Sequence, residues 1–112
     1  VKASGDAAEG RALAYLLARG CRLKERNFRS RFGEIDLIVI DGNTLVFVEV
    51  RKRGNRAFAS AAESITATKQ QRILATARLY LSRLPAELPC RFDAILIDGD
   101  DRIEWIRDAF SA

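Results

Sequence analysis

The sequence predicts a single α/β domain with a mixed β-sheet flanked by helices, and three observations carry that reading. Residues 34–40 and 45–51 are rich in isoleucine and valine and are joined by Asp41-Gly42-Asn43-Thr44, a strong hairpin signal. Helical patterns lie before and after this hairpin. A nearly all-apolar segment, residues 92–97, follows the second of them, as expected of a strand covered on both faces.

In chain order, residues 6–19 place Leu13, Leu16, Leu17 and Gly20 on one helical face, with Asp6 and Glu9 spaced as a capping box and Gly20 ending the helix. Residues 22–29 form a charged strand of weak alternation, the style of a protected sheet edge. The hairpin strands come next. A loop over residues 54–64 leads to a helix that begins near Thr66 or Thr68, with Ile73, Leu74, Ala77, Leu81 and Leu84 as its apolar stripe. Pro85 and Pro89 bracket the turn after it, and residues 103–106 form a short closing strand behind the turn Asp98-Gly99-Asp100-Asp101. The order is αβββαββ. A strand, a crossover helix and a further strand imply a parallel pair beside an antiparallel meander.

The composition excludes several classes of protein. With 112 residues, 48% hydrophobic and 30% charged, the chain suits one domain spanning residues 1–112. No apolar run approaches the roughly 20 residues of a membrane span, and no signal-peptide pattern opens the chain, so a soluble cytoplasmic protein without a membrane partner is expected. Two cysteines, Cys21 and Cys90, make no disulfide framework and are expected to be reduced and buried. With no histidine, a metal would be held by oxygen ligands, which favours magnesium, manganese or calcium. The net charge of +4 is unevenly spread. Arg19, Arg22, Lys24, Arg26, Arg29 and Arg31 form one basic block, and Arg51, Lys52, Arg53 and Arg56 another. They read either as a phosphate-binding face or as an arginine-rich solvated surface.

The hairpin brings acids together. If Gly42 and Asn43 are the loop, Ile40 pairs with Leu45 and Asp36 lies opposite Glu49; if the loop is Asp41-Gly42, Glu34 takes that place with Asp36 two residues away. Both registers give one acidic cluster. The other face carries Ile35, Leu37, Val39, Val46, Val48 and Val50 and covers the core. Like charges facing each other in a partly buried layer are destabilising, so a cation belongs between them, either a divalent metal or an arginine such as Arg51. Glu9 fits this site or the capping box. Lys69, in the first turn of its helix, opposes the macrodipole unless an anion binds there; it reads equally as a surface lysine. Phe28, Phe32 and Phe58 lie among basic residues, as core or as stacking surfaces for bases.

The segments Gly33-Glu34-Ile35-Asp36-Leu37-Ile38, Val46-Phe47-Val48-Glu49-Val50-Arg51-Lys52-Arg53, Lys69, and Arg91-Phe92-Asp93 resemble the YraN family of bacterial proteins. That family is similar to archaeal Holliday-junction resolvases. The resemblance implies a restriction-endonuclease-like fold of the PD-(D/E)xK type, with an αβββαβ core plus a short closing strand. It implies Asp36 and Glu49 as metal-binding acids for magnesium or manganese, with Glu9 joining the site, and it places Arg51 where the motif has lysine. Arginine stays protonated and cannot serve as a base, though it can stabilise charge on a phosphate. Arg51, Glu9 and Lys69 complete the candidate catalytic set with the two acids, and Arg26, Arg29, Arg31, Lys52, Arg53, Arg56 and Lys69 form the candidate nucleic-acid contacts. Two functions stay open: a metal-dependent endonuclease cutting DNA, branched DNA included, and a non-catalytic module that binds nucleic acid. RNA stays open as a partner, and resolvases of this resemblance work as homodimers.

Overall fold

A computed structural model describes residues 3–53, 65–98 and 102–111. Helix α1 (Ala3–Ala18) is followed by strands β1 (Arg22–Arg29), β2 (Glu34–Asp41) and β3 (Thr44–Arg53), helix α2 (Ala67–Ser82), and strands β4 (Cys90–Asp98) and β5 (Arg102–Phe110). The five strands are ordered β1-β2-β3-β4-β5. β3 and β4 run parallel, and every other neighbouring pair is antiparallel. The mixed sheet and the αβββαββ order are those the sequence predicts.

Each face of the sheet has its own apolar layer. On one side Ala8, Ala12 and Leu16 of α1, one turn apart, pack on Leu37, Val39, Val46, Val48, Ile95 and Ile97. Two alanines in that stripe let the helix axis lie close to the sheet. On the other side Ile73, Leu74, Ala77 and Tyr80 of α2 cover Ile38, Leu45, Phe47, Phe92 and Leu96. Phe92 stacks between Phe47 and Phe110, with ring centroids 5.3 and 5.2 Å away. Thr66 caps α2 by accepting the Lys69 amide hydrogen at 3.2 Å, which fixes where the helix begins.

Several expectations need correction. α1 starts at Ala3, so Glu9 lies well inside it and has no capping-box role. Leu17 is 46% exposed, because the buried stripe runs through Ala8, Ala12 and Leu16 and turns Leu17 away. Ile35 belongs to the α2-side layer with Phe28, not to the α1 side with Leu37 and Val39. The alternation breaks across Asp36, facing the point where Asn27 interrupts β1 with a φ of 52°. Cys90 is exposed at the start of β4, while Cys21 is buried as expected. The closing strand is longer than residues 103–106 because a bulge carries it onward. Asp108 takes a φ of 55° and the β4–β5 register shifts between Phe92 and Ala94, after which pairing resumes at Phe110. β1 is an edge strand, as read, and its register shift between Leu23 and Glu25 blunts that edge. Among the described residues no helix is long and apolar enough to cross a membrane.

Candidate functional site

The site forms where the central hairpin stops pairing. Gly42 supplies a φ of 65° at the first position of the two-residue loop, which sets Asp41 against Thr44 and Ile40 against Leu45. This is the first of the two registers the sequence allows. The ladder continues to Leu37 opposite Val48, so Asp36 and Glu49 are the next residues on each strand. There the Asp36 carboxylate enters the gap and accepts the Val50 amide hydrogen at 2.8 Å. Glu49 is only 4% exposed, and its Oε2 lies 2.9 Å from Lys69 Nζ and 3.9 Å from Arg51. Asp36, Glu49 and Lys69 line both openings of the cleft.

Two further acids converge on Asp36. Glu9 arrives from α1 and Glu34 from the start of β2, and carboxylate oxygens of Glu9, Glu34 and Asp36 lie within 4.8 Å of one another. The Glu9 Oε1 atom is buried without a hydrogen-bond partner. Burial and the negative charge of Glu49 push the Asp36 carboxyl up to about 7, against the pull of the Val50 amide and Lys69. Burial raises Glu9 as well, followed by the charge of Asp36, while a hydrogen bond from Asn27 acts the other way. This is the electrostatic condition of a carboxylate cluster short of positive charge. An all-oxygen donor set with an orphaned buried oxygen suits a hard divalent cation, and Glu9, Glu34 and Asp36 stand close enough together to hold one, with Glu49 beside Asp36 and paired with Lys69.

The cations approach from two elements. Lys69 comes from the first turn of α2, where the Thr66 cap holds its backbone amide and its amine pairs with Glu49, so it is neither idle on the surface nor isolated in a helix dipole. Arg51 and Lys52 come from β3 and line the opening that also contains Glu9. Arg26, Arg29 and Arg31 are exposed on β1 and the turn after it, and Arg29 meets Glu34 at 3.9 Å. Arg53 ends β3, and nothing further is described of its side chain; Arg56 and Phe58 lie outside the described residues. Phe28 is core, packed edge-on against Tyr80 at 4.9 Å, whereas Phe32 is 39% exposed.

Sequence reasoning left Glu34, Arg72 and Asn27 out of the candidate set. The signal for Glu34 was its spacing two residues before Asp36, on the same side of the strand. Arg72, three residues after Lys69, lies along the same helix face and lines the opening with Gly33 and Glu34. Asn27 had no signal beyond the tolerance of asparagine for positive φ.

A family model described as "Uncharacterised protein family UPF0102" matches residues 8–97. A UPF0102 protein of Nitrosomonas eutropha is 53% identical over 97% of this chain and 94% of its own length. Another, from Methylobacillus flagellatus, is 51% identical over the full length of both chains. A third, from Ralstonia nicotianae, is 55% identical over 96% of this chain and 86% of its own. The match takes in Glu9, Asp36, Glu49, Lys69 and the whole sheet up to Ile97, and the chain belongs to the uncharacterised protein family UPF0102, the YraN family whose motifs its sequence carries.

Proposed function

We propose that this protein is a divalent-metal-dependent endonuclease that hydrolyses DNA phosphodiesters, with branched DNA as its substrate class. One observation carries the reading: a lysine amine 2.9 Å from a buried glutamate, in a cleft shared with Asp36 and the orphaned oxygen of Glu9. Acids that only stabilised the fold would be matched by donors, and these are matched incompletely.

Glu9, Glu34 and Asp36, with Glu49 beside Asp36, would hold magnesium or manganese. When bound, such an ion supplies Lewis acidity toward a phosphate oxygen and a nucleophilic water near neutral pH. The chain's own residues do the rest. Lys69 takes the place of the motif lysine, reaching Glu49 from α2 instead of from β3, and its amine orients the attacking water and can exchange a proton with it. Arg51 stays charged and stabilises the negative charge that develops on the phosphate as water adds and the ester oxygen leaves. Lys52, at the same opening, and Arg26, beyond it on β1, hold the flanking phosphates. A junction has two symmetric scissile strands, and a homodimer would present one such site to each.

A second reading is favoured by Arg51 itself. With arginine at the motif position, the same fold can bind DNA without cutting it. The two are separated by assaying cleavage of four-way, flapped, duplex and single-stranded DNA with magnesium, manganese or chelator. Wild type should cut a branched substrate with metal only, and Asp36→Asn should not. Absence of cleavage on every topology would leave the binding module, in which Asp36→Asn binds DNA as tightly as wild type or more tightly.

A further inference from the structure

Beside the acidic cleft, on the far side of the turn between β1 and β2, lies a second groove of about 360 Å³ lined by Arg29, Ser30, Arg31, Phe32, Leu79 and Arg83. It holds three guanidinium groups and one aromatic ring, and no carboxylate lines it among the described residues. We propose that this groove is a subsite for one unpaired nucleotide, its base stacked on Phe32 and its phosphates held by Arg29 and Arg83. The proposal deepens the endonuclease reading and rests on it for the identity of the polymer.

The turn is built as a rigid mount. Ser30 Oγ accepts the amide hydrogens of Phe32 at 3.0 Å and Gly33 at 3.3 Å, and the Ser30 amide donates to the Gly33 carbonyl at 2.8 Å. Ser30 Oγ also meets Thr76 Oγ1 at 3.2 Å, while Thr76 donates to the Arg72 carbonyl on α2 at 2.8 Å. Gly33 lies so close to α2 that a Cβ placed on it would stand 3.2 Å from the Arg72 Cβ. A turn clamped this way holds Phe32 at 39% exposure, an aromatic ring left partly open to solvent. The Arg31 guanidinium lies over one face of the ring, 4.9 Å from its centroid, so a base would stack on the opposite face. Arg29 is 73% exposed and its contact with Glu34 is 3.9 Å, an exposed pair too weak to withhold it from a phosphate.

The groove and the cleft flank the same turn and the same helix. Glu34, the second residue after Phe32, lines the cleft, and on α2 the face that presents Arg72 to the cleft presents Leu79 and Arg83 to the groove. At about 1.5 Å per residue, Arg72 and Arg83 are roughly 16 Å apart along the helix, a span of a few nucleotides. A base inside a duplex has no free face to offer Phe32. The substrate is therefore a strand that is unpaired a few nucleotides from the scissile phosphate.

The test is done in chelator, so that binding is read without cleavage. Oligothymidine and a blunt duplex of equal length serve as probes, with wild type, Phe32→Ala, Phe32→Trp and Arg29→Ala. Phe32→Ala should weaken oligothymidine about five- to tenfold and the duplex less than twofold, consistent with loss of one stacked base. Phe32→Trp should restore it, and Arg29→Ala should lower the salt slope for oligothymidine by about one. A 2-aminopurine in the strand should be quenched by wild type and not by Phe32→Ala. Equal loss on both probes, unchanged quenching, or displacement of oligothymidine by polyglutamate of matched charge would overturn the subsite. The two readings fail separately. If wild type cuts nothing but stacks the base, the endonuclease falls and the subsite stands; if it cuts branched DNA and Phe32→Ala binds normally, the reverse holds.

Discussion

Two aspartates on this sheet, Asp93 buried and Asp36 half-buried, meet opposite surroundings. Asp93 on β4 is fully buried and accepts four hydrogen bonds: Arg91 Nε at 2.9 Å and the Asp108 amide at 2.9 Å on Oδ1, Arg91 NH2 at 3.0 Å and Trp105 Nε1 at 2.9 Å on Oδ2. Arg91 in turn binds Asp41 at 2.9 Å, tying β4 to the hairpin. Asp36 on β2 receives the Val50 amide and faces Glu9, Glu34 and Glu49. One acid is surrounded by donors and the other by acids. Both belong to segments that carry the family resemblance, so a motif alone does not distinguish them; the inventory of partners does.

The largest effect should come from breaking the satisfied acid. All four partners of Asp93 are donors, so Asp93→Asn must turn an amide NH2 toward an N–H and leave Arg91 short of a counter-charge. The expected cost is about 3–5 kcal/mol of unfolding free energy, measured by denaturant titration. Asp36→Asn should instead stabilise the metal-free protein, because it removes one charge from a repelling cluster. If both variants lose stability equally, the contrast between the two acids is wrong.

Acidity should sharpen the comparison. Asp36 titrates near 7 in the folded chain against an ordinary value of 3.8, so the folded state binds the proton more tightly than the unfolded state. Stability tied to that proton is fully present below pH 3.8 and is lost as pH rises through about 7. The loss is at most about 4 kcal/mol, and the neighbouring charges reduce it. In chelator, melting temperature should fall between pH 5 and pH 8 for wild type and stay flatter for Asp36→Asn. Magnesium at a hundredfold its Kd should return about 2.7 kcal/mol to wild type at pH 8 and little to the variant. A wild-type melting temperature that does not change with pH in chelator would remove the electrostatic case for the site.

Much of this was legible in the residues and some was not. The turn Asp41-Gly42-Asn43-Thr44 narrowed the register to two, both of which gather the acids on one face, because a two-residue loop and a period of two leave little freedom; the structure has the one that brings Asp36 beside Glu49. Thr66 and Thr68 both offered a start for α2, and the cap is Thr66. Glu9 was ambiguous because its role depends on where α1 begins, and the Asp6-to-Glu9 spacing imitates a cap. Glu34 and Arg72 depend on how the turn after β1 sits against α2, a tertiary contact made through Ser30, Gly33 and Thr76. The length of β5 depended on Asp108, whose bulge is held by the buried carboxylate of Asp93, and no pattern within β5 announces that.

The smallest effect expected is that of Arg51→Lys, and it bears on which cation, Arg51 or Lys69, the proposed cleavage uses. Arg51 lies 3.9 Å from Glu49 and Lys69 lies 2.9 Å from the same oxygen, so the place that the motif fills from β3 is filled here from α2. If that is the working amine, Lys69→Ala should lower metal-dependent cleavage about a hundredfold, or roughly 2.7 kcal/mol of barrier. Arg51→Lys alone should change the rate less than threefold, since a second amine adds nothing the first does not supply. Placed in the Lys69→Ala background, however, Arg51→Lys should recover part of the loss, because it moves the amine back to β3 on the same glutamate. Lys69→Arg separates chemistry from charge. It keeps the ion pair with Glu49 but cannot give up a proton, so it should fold and bind DNA like wild type and cut as poorly as Lys69→Ala. Full activity in Lys69→Arg would reduce Lys69 to a counter-ion for Glu49 and return the catalytic question to Arg51.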